Sequence, residues 1–330
     1  MEVTGSMLSL LRVLLFAFSL LIQGAGSASA QAIANYFLLQ EGTVPVVFTF
    51  PHGGTTSVPG IADRDCSSSS KNCGRDTNTH LMAPAISDAF FALTGHKPYL
   101  VASYMPRSQV DLNRPAGSQA YDDPDAKPYY DFYHDGVRNF IDEIRATWGS
   151  GVLFDVHGQS SFPSTIIRGT QNGDTVTSLL AAQGPVALNG PDSVFGELAS
   201  LAYSVHPDLA IPFENQAELS AYRGGYTVRT YGSSHADGID AIQLEIGFNF
   251  RSGSAWEQTS IDLAASAEKF HDAFLPSSPP PGVPSLSNTG LTQLALLVLL
   301  TGSQLLRSRR ARPSHPAPVS WHVCGSRESA

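Results

Sequence analysis

GVLFDVHGQSS, residues 151–161, begins as an apolar run and ends on a carboxylate, an imidazole, a glycine and two hydroxyls. The first half reads as a β-strand rich in apolar and β-branched residues, and the second half is where that strand meets solvent or a ligand. Four more stretches share the apolar character: VPVVFTF (44–50), KPYLVAS (97–103), STIIRG (164–169) and DAIQLEI (240–246). Between them, 78–93, 129–147, 192–205 and 258–274 carry helical spacing, with Phe132, Val137, Phe140, Ile141 and Ile144 on one stripe. Alternation of this kind predicts an α/β fold, a largely parallel or mixed sheet covered by helices on both faces. There is no internal repeat.

The polar residues that a strand would not normally carry sit where these strands end. FPHGG (50–54) follows one strand, FDVHGQSS (154–161) completes another, and Glu245 is embedded in a third. VDLNRP (110–115) reads as a further strand end, with alternation placing Asp111 and Asn113 on one face and Leu112 and Arg114 on the other. In an open α/β sheet the carboxyl ends of strands form the ligand crevice. His52 and His157 are each followed by a glycine, which lets a ligand approach the backbone. Two imidazoles and a carboxylate make a catalytic zinc set with one position open.

The carboxylate is not settled by spacing. Asp63, Asp65 and Asp76 all lie between His52 and the next helix, and none stands in an HExxH pattern. Asp76, in GRDTNTHLMA, is the choice because the helix start aims it, with helix N-capping as its competing role. Asp111 is placed to accept the outer ring proton of a metal-binding histidine and so fix its tautomer. Asn113 and Arg114 form a planar donor pair that matches a substrate carboxylate, with a surface salt bridge and an Asx turn as the alternative.

The ends of the chain bear on location. Residues 8–22 are mostly apolar and precede Ala28-Ser29-Ala30, the spacing of a signal-peptidase site, so 1–30 reads as a leader and 31–275 as the folded body. Residues 276–290 are Pro- and Ser-rich and read as a stalk; 291–306 is an uncharged, short candidate membrane span, and 307–330 a basic cytoplasmic tail. A merely disordered apolar terminus is the other reading of that end. Cys66 and Cys73 suit a local disulfide in an oxidising compartment, and a zinc knuckle would need further thiols or histidines. Of 20 basic and 29 acidic residues, 14 and 27 fall in the body, a net charge of −13, which excludes nucleic acid as a partner.

Six stretches in order, VPVVFTFPHGG, GRDTNTHLMA, SQVDLNRP, LFDVHGQ, RGGYTVRTYG and AIQLEIG, resemble the N-formylglutamate amidohydrolase family and, more distantly, the zinc carboxypeptidases. The resemblance spans roughly 44–250. It implies a three-layer α/β/α, phosphorylase/hydrolase-like fold and one zinc per chain, held by His52, His157 and, by the acidic position, Asp76. It further implies Asn113 and Arg114 on the substrate carboxylate, Arg107 as a second cation, Glu245 as base, and a mobile tyrosine at Tyr226 or Tyr231. The implied reaction is hydrolysis of an N-formyl or N-acyl amino acid. A metallocarboxypeptidase, or a surface binding module without turnover, are the rival functions.

Overall fold

The computed structural model describes residues 31–67 and 71–279. The expected leader (1–30), the candidate span (291–306) and the basic tail (307–330) lie outside the described residues, as does all of the stalk beyond residue 279.

Seven strands build one mixed sheet in the order β1-β3-β2-β4-β7-β5-β6: β1 (Phe37–Gln40), β2 (Val46–Phe50), β3 (Tyr99–Ser103), β4 (Val152–Gln159), β5 (Thr165–Gly169), β6 (Ser204–His206) and β7 (Asp240–Gly247). Strands β3, β2, β4 and β7 run parallel, β1 is antiparallel on β3, and β5 is antiparallel to β7. The helices are α1 (Thr79–Thr94), α2 (Lys127–Trp148), α3 (Thr177–Gln183), α4 (Val186–Asn189), α5 (Val194–Ser200), α6 (Tyr226–Tyr231) and α7 (Ala255–Phe274).

Strand alternation divides the core in two. Val46, Phe48 and Phe50 of β2, Val152, Phe154 and Val156 of β4, and Ile242, Leu244 and Ile246 of β7 pack with α1, α5 and α7. Val47, Leu153 and Ala241, one residue out of step, pack with α2 and α6, where Val137, Phe140, Ile141 and Ile144 form the stripe legible in the sequence. A sheet buried on both faces by helices is the three-layer arrangement expected from the alternation.

From β2 the chain passes to β3 on one side, then to β4 on the other. That reversal makes the β2–β4 boundary the switch point where an α/β sheet opens a crevice. Gly53 and Gly54 carry the chain out of β2 through a tight gap. A Cβ at Gly53 would stand 2.3 Å from the His80 nitrogen, and one at Gly54 would stand 2.1 Å from the Tyr104 carbonyl carbon.

Several elements differ from expectation. Residues 110–115 are not a strand: the Asp111 carboxylate accepts the Asn113 backbone N–H at 3.1 Å, closing an Asx turn, and the turn is buried rather than on the surface. The expected helix over 192–205 ends at Ser200, and the chain then enters the short edge strand β6. The body's last helix ends at Phe274.

Candidate active site

Three side chains converge at the β2–β4 boundary. His52 Nδ1 lies 3.1 Å from His157 Nδ1, and Asp76 Oδ2 stands 3.5 Å from the first and 3.2 Å from the second. All three residues are buried, and their three ligand atoms lie within 4.8 Å of one another. Donors set about 2.0–2.1 Å from a tetrahedral ion stand roughly 3.3–3.4 Å apart, so the spacing fits a small cation.

The outer nitrogens are also engaged. His52 Nε2 meets Asp111 Oδ1 at 2.7 Å, and His157 Nε2 meets Asp155 Oδ2 at 2.9 Å. A carboxylate that holds a proton on Nε2 turns the Nδ1 lone pair toward the cradle, the usual arrangement behind a metal-binding histidine. Burial opposes a positive charge on His157, yet Asp155 and Asp76 outweigh it and raise the ring well above the ordinary histidine range. Burial likewise works against ionised Asp76 and Asp111, but the neighbouring histidines, joined at Asp111 by Arg107, hold both well below the usual carboxylate range.

Backbone contacts fix Asp76, the acidic ligand candidate. The Asp76 N–H donates to the His52 carbonyl at 3.1 Å, the Gly158 N–H donates to Asp76 Oδ2 at 3.0 Å, and the Asp76 carbonyl accepts from Thr79. Helix α1 starts three residues later with Asn78 as its cap, so the Asp76 carboxylate faces the histidines and not the helix end. Asp63 accepts from Ser108 Oγ and Asp65 from the Ser67 N–H, both exposed and outside the cradle. The intervening loop is closed by a Cys66–Cys73 disulfide and anchored by Arg64, which donates to the carbonyls of Asn72, Arg107 and Gln119.

A cavity of about 640 Å³ opens over the cradle and is lined by His52, Asp76, His157 and Glu245 among others. Glu245 pairs directly with His157 in the β4–β7 register. Burial pushes its carboxyl up to about 7, with His157 pulling the other way. Gln243 donates to Glu245 Oε1 at 2.8 Å and accepts the Gly225 N–H at 2.6 Å, so the base candidate is tied to the loop before α6. Arg107 lines the cavity and clasps Asp111 through Nε at 3.0 Å and Nη2 at 2.9 Å.

Asn113 and Arg114 both line the cavity, but differently. The Asn113 amide oxygen accepts from the Thr227 N–H at 2.7 Å, and its nitrogen lies 3.0 Å from His157 Nε2. Arg114 commits Nη1 to the Asn113 carbonyl. Tyr226 and Tyr231 do not reach this cavity. The Tyr231 hydroxyl is 2.8 Å from His134 Nδ1 in a buried aromatic cluster, and Tyr226 borders a separate cleft beside Arg138. Because 226–231 coils into a helix, the tyrosine on the cavity wall is Tyr222, whose hydroxyl donates to Ser161 at 2.9 Å.

Asp155 and Gln243 join the cluster beyond the residues expected from the sequence. Each precedes a recognised residue by two, on the same face of the same strand, and that spacing was the available signal. The wall bearing Tyr222 is held from below by buried Arg168 and Glu218, 3.0 Å apart, with Glu218 also accepting the N–H groups of Thr170 and Asn172.

The fold is a known one. An N-formylglutamate amidohydrolase from Ralstonia eutropha JMP134 superimposes with a TM-score of 0.51 and 16% identity, covering 72% of this chain and 98% of that one. A gene product of Agrobacterium tumefaciens matches at 0.45 and 16% identity over 73% and 94%, and a bacteriophage poly-gamma-glutamate hydrolase at 0.35 and 13% over 72% and 87%. No family model and no curated protein matches the sequence.

Proposed function

We propose that the chain is a zinc-dependent hydrolase that cleaves the amide bond of a small, carboxylate-bearing acyl amino acid. The observation that carries this reading is the buried His52–Asp76–His157 cradle, backed by Asp111 and Asp155, with Glu245 beside it on the wall of the same cavity. Two imidazoles and one carboxylate suit zinc, and bound there it would supply Lewis acidity toward a carbonyl and toward water.

The chain's own residues supply the remainder. Glu245 accepts a proton from the attacking water and returns it to the leaving nitrogen as the C–N bond breaks and a C–O bond forms. A buried carboxyl near 7 is matched to both transfers, and a cation alongside favours its ionised form. Arg107 has Nη1 left to face a developing oxyanion, since Asp111 takes its other donors. Arg114, the less committed member of its pair, holds a substrate carboxylate at a fixed distance from the cradle, and Asn113 steadies the wall beside it.

N-formylglutamate, named for the Ralstonia enzyme, is a formamide with two carboxylates, and ligands of that chemistry suit this cavity. The apolar run at 8–22 and the Cys66–Cys73 disulfide support a place in the secretory pathway, and the order of stalk, apolar segment and arginines over 276–312 supports a tether at the cell surface. Among the described residues no helix is long and apolar enough to cross a membrane.

Elemental analysis of the purified protein tests the proposal. Close to one zinc per chain is expected, with loss of metal and of amine release from N-formylglutamate in His52→Ala and in His157→Ala. Full zinc retention in the double variant would remove the cradle from the mechanism.

A further inference from the structure

The cavity inverts the charge of the protein that contains it. Residues 31–275 carry 14 basic and 27 acidic side chains; ten of the basic ones are arginines. Six of those ten, Arg75, Arg107, Arg114, Arg223, Arg229 and Arg251, line this one cavity, against only Asp76 and Glu245 of the acids. No lysine joins them, although the body has four. A solvated face on a body of net charge −13 would show the opposite balance. Walls of one sign, with the cavity's own two carboxylates already engaged, concentrate an anion.

The six are not equivalent. Arg251 spends its donors on the carbonyls of Ile246, Thr77 and Gln159, and Arg107 spends two on Asp111. Arg114 and Arg229 each have one bond to a neighbouring carbonyl. The side chains of Arg75 and Arg223 are exposed and make no hydrogen bond or ion pair among the described residues. Arg75 adjoins the metal-ligand candidate Asp76, and Arg223 belongs to the wall pinned to the turn after β5 through its carbonyl, which accepts the Gln171 N–H at 2.6 Å. These two guanidiniums are bidentate donors without an internal acceptor.

Size points the same way. At the roughly 30 Å³ that a water molecule occupies in the liquid, the dozen or so non-hydrogen atoms of an acylated amino acid fill only about half of such a cavity. The 640 Å³ available suits a longer ligand.

We propose that the ligand is an acidic peptide, bound with one carboxylate at Arg114 and its further side-chain carboxylates at Arg75 and Arg223. The inference rests on the amide-hydrolase reading only for which end of the ligand reacts. Arginine, with its planar fork, is the side chain suited to carboxylates presented in series, and no apolar subsite is required.

Calorimetric titration of the zinc-loaded full-length Glu245→Gln protein, in which ligands stay intact, tests this with N-acetylglutamate, N-acetyl-tetraglutamate and N-acetyl-tetraglutamine. Tetraglutamate is expected to bind at least about tenfold more tightly than either of the others, with the margin shrinking as salt is raised. Adding Arg75→Gln or Arg223→Gln should weaken tetraglutamate by about threefold or more beyond any change for N-acetylglutamate. Equal affinities for the three ligands, or tighter binding of inorganic tripolyphosphate than of tetraglutamate, would overturn the peptide assignment. The two readings fail separately: tetraglutamate preference without amide cleavage by the wild-type protein removes the hydrolase, whereas cleavage of N-acetylglutamate without that preference removes only the acidic peptide.

Discussion

The two faces of the central sheet follow different rules along the same strands. On the face toward α1 and α7, β4 presents Val152, Phe154 and Val156 and β7 presents Ile242, Leu244 and Ile246, apolar to the last residue. On the face toward α2, β4 presents Leu153, then Asp155, then His157, and β7 presents Ala241, Gln243 and Glu245. Strand β2 makes the same turn from Val47 to Thr49, whose hydroxyl donates to Asp155 at 2.7 Å. One face is packed throughout; the other begins as core and becomes polar within two residues. Buried polar groups are tolerated there because they satisfy one another, and an unpaired one would cost about 1–3 kcal/mol.

Glu245→Gln separates the two faces by the widest margin. The substitution keeps the shape but removes proton acceptance, so turnover should fall by about two to four orders of magnitude while the melting temperature and zinc content stay near wild type. Turnover within a factor of about three of wild type would place the base elsewhere. Phe154→Ala, one residue from Asp155 but on the other face, should do the reverse. Truncating a fully buried phenylalanine costs about 3–5 kcal/mol in denaturant unfolding, with the activity of the remaining folded fraction preserved. A specific loss of activity in that variant would break the separation of the faces.

The smallest effect concerns acid. His134 on α2 lies among Tyr130, Tyr226 and Tyr231, and burial lowers its pKa to about 4. The unfolded chain therefore binds a proton near pH 6.5 that the folded chain refuses until about 4, so stability is fully present above the upper value and declines across that window as pH falls. Up to about 3 kcal/mol of the acid sensitivity belongs to this ring. His134→Phe should flatten the difference in unfolding free energy between pH 6.5 and 4, and parallel curves for the two proteins would assign the sensitivity to other groups.

Much of this plan is legible in the sequence. Long apolar runs ending in His or Glu mark the strands that carry the site, and the 137–144 stripe marks the helix beneath it. Short edge strands are not legible: FLLQ and SVH are too brief for alternation to show, and pairing with β3 and β5 makes them strands. VDLNRP misleads because its apolar Val110 and Leu112 are buried in a turn, where an Asx bond replaces a ladder partner. The choice of Asp76 over Asp63 and Asp65 depends on where the Arg64-anchored loop runs, which spacing does not encode. Tyr222 is not legible because a six-residue helix over 226–231 points its tyrosines at α2.

The Arg168–Glu218 pair beneath the Tyr222 wall has a consequence for how such a protein diversifies. Its donors and acceptors end on the backbone of residues 170–172 and on Asn189 and Gln216, so it fixes the path of the wall without touching the side chains that face the cavity. The Arg223 side chain is thereby relieved of any duty to hold the loop, and Tyr222 adds its bond to Ser161. Mutation can exchange cavity-facing side chains of this wall while its backbone path, the strand-borne histidines and Glu245 keep their places. The scaffold thus separates what shapes the mouth of the cavity from what builds its floor.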